Sequence, residues 1–127
     1  MIAGLGVDLV EVARLRQSPR AERLLARLFT PVELAESEGA QRWLSLAARF
    51  AAKEAVLKAL GTGLRGMGWQ DIEIRRDALG KPTVRLAGGA ARRAGELGVT
   101  EVLVSLSHTR EYAVAQAMAI RAEVQDR

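Results

Sequence analysis

The sequence contains no cysteine and only one histidine among its 127 residues. The first absence excludes disulfides, thiolate zinc sites and cysteine nucleophiles. The second excludes any site that needs two imidazoles, including the usual three-ligand catalytic zinc centres.

Long apolar runs and a targeting segment are also missing. No stretch approaches the roughly 18 to 20 uninterrupted apolar residues of a membrane span. The apolar N-terminus lacks a basic segment and carries Asp8 within it, which is unlike a signal peptide. We therefore expect a cytoplasmic protein without a membrane partner, and the absence of cysteine is compatible with that reducing compartment.

The composition is that of a folded, basic protein. Hydrophobic residues make up 49% and charged residues 27%, and the length suits a single domain over 1–127. The net charge is +4, the isoelectric point is about 10.3, and only three of the 19 basic residues are lysines. Such an arginine excess favours contact with phosphate or carboxylate groups. The charge also raises a nucleic-acid-binding domain as an alternative, but the few aromatic residues (4%) and the interspersed acids argue against it.

The apolar periodicity predicts an α+β domain with a long helix and a largely antiparallel sheet. A strand is followed by helices, and the second half consists mainly of hairpin strands around one further helix. Thr30, Pro31 and Glu33 form a helix start with a capping box, and Gly61 is a typical helix end. The predicted strands cover 2–10, 72–76, 83–86, 101–107 and 112–120, the predicted helices cover 11–16, 19–28, 42–60 and 87–97, and 121–127 is predicted to be a polar tail.

The first strand has two very different faces. One is apolar, and the other consists of Gly4, Gly6 and Asp8. Two bare backbone positions followed by a carboxylate let another chain or a ligand approach closely. Taken alone, an acid late in a strand is more often an ordinary turn or cap residue.

The long helix carries charged residues on different sides. At about 100° per residue, one side is a basic stripe that consists of Arg42, Arg49 and Lys53. Glu54 lies away from that stripe, on an apolar face, and Lys58 follows one turn later. A carboxylate on an apolar face is costly unless a cation or metal meets it. A helical Glu–Lys pair worth roughly a few tenths of a kcal/mol is the simpler explanation.

Asp8 and Glu54 considered together suggest metal chemistry. Two isolated carboxylates and an excess of arginine suit magnesium with a polyphosphate ligand. Mg²⁺ is held by one or two carboxylates and fills its octahedron with water and phosphate oxygens.

Two further features leave alternatives open. The segment 61–66 matches G-x-G-x-x-G, but a helix precedes it where the dinucleotide fingerprint requires a strand, so we reject that interpretation. A helix cap that runs into a flexible loop and a loop that contacts phosphate both remain. His108 ends a strand within SLSHT, where a lone histidine is more often structural but could donate to a phosphate oxygen.

With these residues in hand, the chain closely resembles the short 4'-phosphopantetheinyl transferases of the holo-acyl-carrier-protein synthase family. The resemblance covers nearly the whole chain. It is carried, in order, by GLGVDLVEVARL, RFAAKEAVLKALGTG, WQDIEIRRDALGKP and SLSHTREYAVAQAMA. It implies a magnesium-dependent transfer of the phosphopantetheine arm of coenzyme A to a serine of apo acyl carrier protein. Adenosine 3',5'-bisphosphate is the by-product, and fatty-acid biosynthesis is the expected setting, with polyketide synthesis left open.

The resemblance also implies roles for individual residues. Asp8 and Glu54 fall on the family's metal ligands, and Lys58 falls on a lysine near the pyrophosphate that assists the departing phosphate, so Glu54 and Lys58 are the expected catalytic residues. Arg14 falls on the position of an arginine that meets the acidic carrier. The expected coenzyme A contacts, besides Lys58, are Arg49, Lys81, Pro82, His108 and Thr109.

The resemblance finally implies a homotrimer with active sites between neighbouring subunits, in keeping with the small size of the domain. The apolar last strand, 113–120, offers a surface that could pack against a neighbour. A non-catalytic trimeric scaffold with the same fold is the rival interpretation, and the presence of Asp8, Glu54 and Lys58 argues against it. The segment 17–42 resembles the family only loosely, so carrier specificity is the least determined property.

Overall fold

Within residues 1–123, which the computed structural model describes, the chain forms five strands and five helices. The N-terminal half consists of β1 (Ile2–Glu11), α1 (Val12–Arg16), α2 (Ala21–Leu28), α3 (Pro31–Glu36) and α4 (Arg42–Ala59). A single 3₁₀ turn, Trp69–Asp71, leads into β2 (Ile72–Arg76), β3 (Pro82–Leu86), α5 (Gly88–Glu96), β4 (Val99–His108) and β5 (Tyr112–Arg121). The predicted order of elements is confirmed, and the G-x-G-x-x-G segment does follow a helix.

One boundary differs from the sequence-based prediction. Arg121, assigned to the polar tail, is the last residue of β5, where its backbone N–H donates to Met1 O and its Nε donates to Leu97 O at 2.8 Å. These backbone partners extend the strand because the N-terminal residue and the end of α5 both reach it. Residues 124–127 of the predicted tail lie outside the described residues.

The predicted α+β class is confirmed, with the strands divided between two antiparallel sheets. One sheet has the order β1-β5-β4, and β2 and β3 form a separate two-stranded sheet. The long helix α4 packs on the inner face of the three-stranded sheet. No helix within residues 1–123 is long and apolar enough to cross a membrane.

Small residues allow α4 to lie unusually close to the three-stranded sheet. The inner face of β5 consists of four buried alanines, Ala113, Ala115, Ala117 and Ala119. On β1 the approach is closer still, because a Cβ built on Gly4 or Gly6 would lie 1.9 Å from the carbonyl oxygen of Ala59 or Ala55. The glycine face of β1 therefore receives the backbone of α4, a part of the same chain.

The other face of this sheet is apolar and exposed. On β1, Leu5, Val7 and Leu9 are 66%, 52% and 64% exposed, and Leu103 on β4 is 42% exposed. The pairing places Leu5 and Leu103 on either side of Met118 on β5. The alanines of β5 face α4, so only the alternate side chains of β5 are available for the expected contact with a neighbour.

Two of the three members of the predicted basic stripe on α4 are buried. Arg49 and Lys53 are 2% and 0% exposed. The Nζ atom of Lys53 lies 2.7 Å from Oε1 of Glu33, and Arg49 lies 3.0 Å from Oε1 of Glu36. A helical wheel identifies the side of a helix but not the element that covers it, and here α3 and β2 cover that side.

These buried charges complete the unpaired edge of β2. On that edge, Lys53 and Arg49 donate to the carbonyl oxygens of Ile72 and Ile74. Glu33 accepts from the backbone N–H of Ile74, and Glu36 accepts from that of Arg76. Two ion pairs thus take the place of a neighbouring strand, so the buried backbone groups keep their hydrogen bonds.

Glu33 has a second role at the start of α3. Its backbone N–H donates to the Thr30 hydroxyl at 3.2 Å, and its Oε1 accepts from the Thr30 N–H at 2.9 Å. The predicted capping box is confirmed. Burial lowers the pKa of Lys53, and the charge of Glu33 opposes that shift.

The glycine contact generates the first prediction. Gly6→Ala should destabilise the protein by about 3 kcal/mol or more, because the new methyl group meets backbone that cannot move aside. Urea unfolding followed by circular dichroism measures the loss. Gly95→Ala on α5 is the matched control, since nothing lies within 4 Å of its Cβ position. It should stabilise the protein by about 0.5–1 kcal/mol, and an equal response of the two variants would contradict the close-packing explanation.

Candidate active site

Asp8, Glu54 and Lys58 converge where β1 crosses α4. Asp8 lies on the same face of β1 as Gly4 and Gly6, so the close approach of the strand carries its carboxylate to the helix. The Nζ atom of Lys58 lies 3.3 Å from Oδ1 of Asp8 and 2.9 Å from the carbonyl oxygen of Val7. Lys58 thus forms its ion pair with Asp8, which the simple Glu54–Lys58 helix pair did not anticipate.

Glu54 is electrostatically coupled to the same group of residues. Burial raises the pKa of the Glu54 carboxyl, the charge of Asp8 raises it further, and Lys58 partly opposes both effects. The negative charge of Asp8 therefore disfavours the ionised form of Glu54, which is the situation that a bound cation relieves.

Asp8 and Glu54 line one side of a cavity of about 550 Å³. Its apolar wall includes Phe50 and Trp69, whose ring centroids lie 5.1 Å apart. Arg14, the expected carrier contact, and Arg27 also line it. The sequence-based analysis did not single out Trp69. Its position depends on the packing of the 3₁₀ turn beside α4, for which local sequence carries no signal.

Three of the expected coenzyme A contacts meet in a second, smaller cavity. Arg49, Pro82 and His108 line a space of about 250 Å³, together with Arg76, another residue not singled out. The guanidinium of Arg49 is held there by Glu36 and by Ile74 O, to which it donates at 2.8 Å. Arg49 and Arg76 make this cavity basic, whereas Asp8 and Glu54 place two carboxylates in the first cavity.

Lys81 and Thr109 lie in turns beside this cavity and do not line it. The Lys81 N–H donates to Oδ1 of Asp77 at 2.9 Å, which closes the β2–β3 turn. The Thr109 hydroxyl accepts from the N–H groups of Glu111 and Tyr112, which closes the β4–β5 turn. Both residues therefore have local structural roles in the single chain.

The two groups of predicted site residues lie on different sides of α4. Arg49 and Glu54 are five residues apart, which places their side chains about 140° apart around the helix. The two cavities share no lining residue. A single chain therefore holds the carboxylates and the basic cavity separately.

The residues near Asp8 fit a magnesium ion better than a transition metal. Among residues 1–123, no group of three or more histidine, aspartate or glutamate side chains is gathered as an all-protein metal site. Mg²⁺ needs only one or two carboxylates when phosphate oxygens and water complete its shell. Asp8 and Glu54 line the same cavity, and the charge of Asp8 raises the pKa of Glu54, which agrees with this donor set.

Comparisons with known proteins show the family to which the chain belongs. The family model of the 4'-phosphopantetheinyl transferase superfamily matches residues 4–117. A holo-acyl-carrier-protein synthase from Moorella thermoacetica is 55% identical over 115 residues, which cover 89% of this chain and 90% of the relative. The chain belongs to the 4'-phosphopantetheinyl transferase superfamily.

Solved structures extend the similarity to the whole fold. A holo-acyl-carrier-protein synthase from Neisseria meningitidis has a TM-score of 0.87 at 35% identity, with 95% of this chain and 100% of that chain covered. One from Bacillus anthracis, solved in complex with CoA (3',5'-ADP), has a TM-score of 0.79 at 32% identity, with 96% and 99% covered. The family expected from the four sequence blocks is thus confirmed.

The raised pKa of Glu54 generates the second prediction. A carboxyl whose pKa is raised by folding favours the protonated folded state, and this contribution is lost as the pH rises through the raised pKa. Glu54→Gln should therefore raise the melting temperature of the metal-free protein at pH 8, and the gain should shrink toward zero below about pH 4. Calorimetry in EDTA measures it. Glu38→Gln, an exposed site, controls for the change in net charge, and a gain that is equally large at pH 4 would refute the explanation.

Proposed function

We propose that this chain transfers the 4'-phosphopantetheine group of coenzyme A to a serine of apo acyl carrier protein. The observation that carries the proposal is the convergence of Asp8, Glu54 and Lys58 beside a cavity, in a chain of this superfamily. The relatives' names and the CoA complex of the Bacillus anthracis enzyme support the two substrates. Fatty-acid biosynthesis in the cytoplasm is the proposed setting.

The reaction is a phosphoryl transfer without a covalent enzyme intermediate. The serine oxygen forms a bond to the β-phosphorus, the bond from that phosphorus to the bridging oxygen breaks, and adenosine 3',5'-bisphosphate leaves. The proton of the serine hydroxyl passes to solvent, and the electron pair of the broken bond stays on the oxygen of the departing phosphate. Enzymes accelerate such transfers mainly by positioning the reactants and stabilising charge, so the absence of cysteine is no obstacle.

Asp8, Glu54 and Lys58 are the residues we assign to this charge stabilisation. A magnesium ion held by Asp8 and Glu54 would neutralise charge on the phosphate oxygens. Lys58, whose exposed ammonium lies beside Asp8, is suited to meet the departing phosphate because its long side chain can reach out of the ion pair. Glu54 and Lys58 are thus the proposed catalytic residues, with Lys58 also a coenzyme A contact.

The basic cavity is the proposed site for the rest of coenzyme A. Arg49, Pro82 and His108 line it, and a protonated or neutral imidazole can donate to a phosphate oxygen. We include Lys81 and Thr109 in this set because their turns flank Pro82 and His108.

Mass spectrometry of the carrier tests the function directly. We expect the wild type, with coenzyme A and Mg²⁺, to increase the mass of apo carrier by one phosphopantetheine group. Asp8→Asn and Glu54→Gln should each lose metal affinity and most of kcat, and the double variant should be scarcely slower than either, because both changes remove one metal site. Lys58→Ala should lose rate but still bind Mg²⁺. Near-normal turnover of Asp8→Asn at limiting Mg²⁺ would refute the assignment of Asp8.

We also propose that the chain acts as a homotrimer with active sites between subunits. The exposed apolar face of the β1-β5-β4 sheet supports this, because soluble monomers seldom expose such a patch. The separation of the carboxylates from the basic cavity supports it as well, since a neighbouring copy can supply the missing half.

Light scattering and subunit mixing test the trimer. Leu5→Glu should dissociate it and abolish turnover, whereas Leu79→Glu, at a 95% exposed turn position, should leave the trimer intact. If each site combines Asp8 of one chain with His108 of the next, mixing Asp8→Asn with His108→Ala after subunit exchange should restore about a quarter of the wild-type activity. A fully active monomer, or no restoration between exchanged subunits, would argue against shared sites.

The exposed arginines beside the first cavity are the proposed docking site for the carrier. Arg14 lies on α1 and lines the cavity with Arg27, so an acidic partner would meet positive charge next to Asp8 and Glu54. Arg14→Glu should raise the KM for the carrier about tenfold or more, and the KM for coenzyme A should stay within about twofold. Steady-state kinetics with each substrate varied in turn measures both, and equal losses would assign Arg14 to the fold or to coenzyme A.

A further inference from the structure

We propose that Lys53, paired with Glu33, is a positioning residue that fixes the rotation of α4 and thereby aims Glu54 at Asp8. The inference deepens the proposed function and rests on it. It concerns a lysine that the metal and coenzyme A assignments leave without a role.

Every proton of the Lys53 ammonium has an acceptor on the far side of α4. Its Nζ donates to Oε1 of Glu33, to the carbonyl oxygen of Trp69 at 3.0 Å and to that of Ile72. The side chain is 0% exposed, as is that of Glu33. An ammonium has three donors, so this set is complete, and a rotation of α4 would strain these contacts.

The contacts on the opposite side of α4 control a different degree of freedom. Gly4 and Gly6 bring β1 against the backbone at Ala59 and Ala55, which fixes the distance between strand and helix. A backbone surface without side chains offers little resistance to a helix that rolls about its own axis. Lys53 provides that resistance together with Arg49 one turn away, because the tip of Lys53 is held by α3, by β2 and by the 3₁₀ turn before β2.

The roll of α4 matters because Glu54 is the next residue along the helix. Its carboxylate lies roughly 6 Å from the helix axis, so a roll of about 15° would shift it by roughly 1.5 Å. A misplacement of about 1 Å in a catalytic group can cost about a hundredfold in rate. Anchoring the neighbouring residue is therefore an effective way to hold Glu54 against Asp8.

A buried ion pair is otherwise an expensive way to stabilise a helix. Well-packed apolar residues of similar volume are often as stabilising or more so. The contacts of Lys53 and Glu33 differ from apolar packing because they are directional and tie α4 to defined backbone atoms. This directionality is what a positioning role requires.

The test compares the Mn²⁺ affinity of the wild type with that of Lys53→Met, Glu54→Gln and the double variant. Electron paramagnetic resonance without coenzyme A measures this affinity. All are studied at a temperature at which circular dichroism finds them folded. Lys53→Met should weaken Mn²⁺ binding and lower kcat, each about tenfold, with the KM for the carrier within about twofold. In the Glu54→Gln background it should add little, because its effect passes through Glu54.

Leu46→Ala on the same helix is the matched control for lost stability. Leu46 is fully buried and does not line the first cavity. It should lower the melting temperature and leave Mn²⁺ affinity unchanged. If Lys53→Met cannot be obtained folded, Glu33→Gln, which preserves the shape of the side chain and removes the charge, should show the same pattern with a smaller amplitude.

The possible outcomes distinguish a failure of the positioning role from a failure of the proposed metal site. If Glu54→Gln leaves Mn²⁺ affinity intact, the metal site itself is wrong and both proposals fall. If Glu54→Gln weakens binding but Lys53→Met or Glu33→Gln behaves like Leu46→Ala, the metal site stands and the positioning role is overturned.

Discussion

The contact between the backbones of β1 and α4 governs the arrangement of the rest of the molecule. Gly4 and Gly6 leave no side chain between strand and helix, so the two elements meet at a separation that even a methyl group would prevent. The alanines of β5 continue the same close packing across the sheet. This closeness carries the carboxylate of Asp8 to Glu54, and it also turns the apolar residues of β1 outward. The proposed metal site and the proposed assembly surface both follow from this close packing.

A second constraint acts from the other side of α4. Glu33 and Lys53, with Glu36 and Arg49 one turn away, supply the hydrogen bonds that a further strand would have given to β2. The helix is therefore held by backbone contact on one side and by directional charged contacts on the other. The proposed active-site residue Glu54 lies between these two supports. Arg49 belongs to the charged contacts and also lines the basic cavity.

The elements could be predicted from the sequence because their signals are local. The capping box at Thr30, the glycine after α4 and the alternation along β4 and β5 all operate within a few residues. The burial of Lys53 could not be predicted, because its acceptors lie up to 20 positions away, on elements whose packing the helix sequence does not describe. The proximity of Asp8 and Glu54 was predicted from the family resemblance and from the glycine face of β1. Arg121 was assigned to the tail because its partners, Met1 and Leu97, are distant from it in the sequence.

The alternation along β1 has a consequence for how this chain can vary. Successive residues serve opposite purposes: Leu5, Val7 and Leu9 face outward, while Gly4, Gly6 and Asp8 face the helix. A slip of one residue exchanges the two faces of a strand completely. Inserting or deleting one residue in β1 would therefore move leucines against the backbone of α4 and a carboxylate into the apolar surface at once. Side chains on the outward face can change individually. The number of residues from Gly4 to Asp8 cannot change by one, because that would place Asp8 on the opposite face from Gly4.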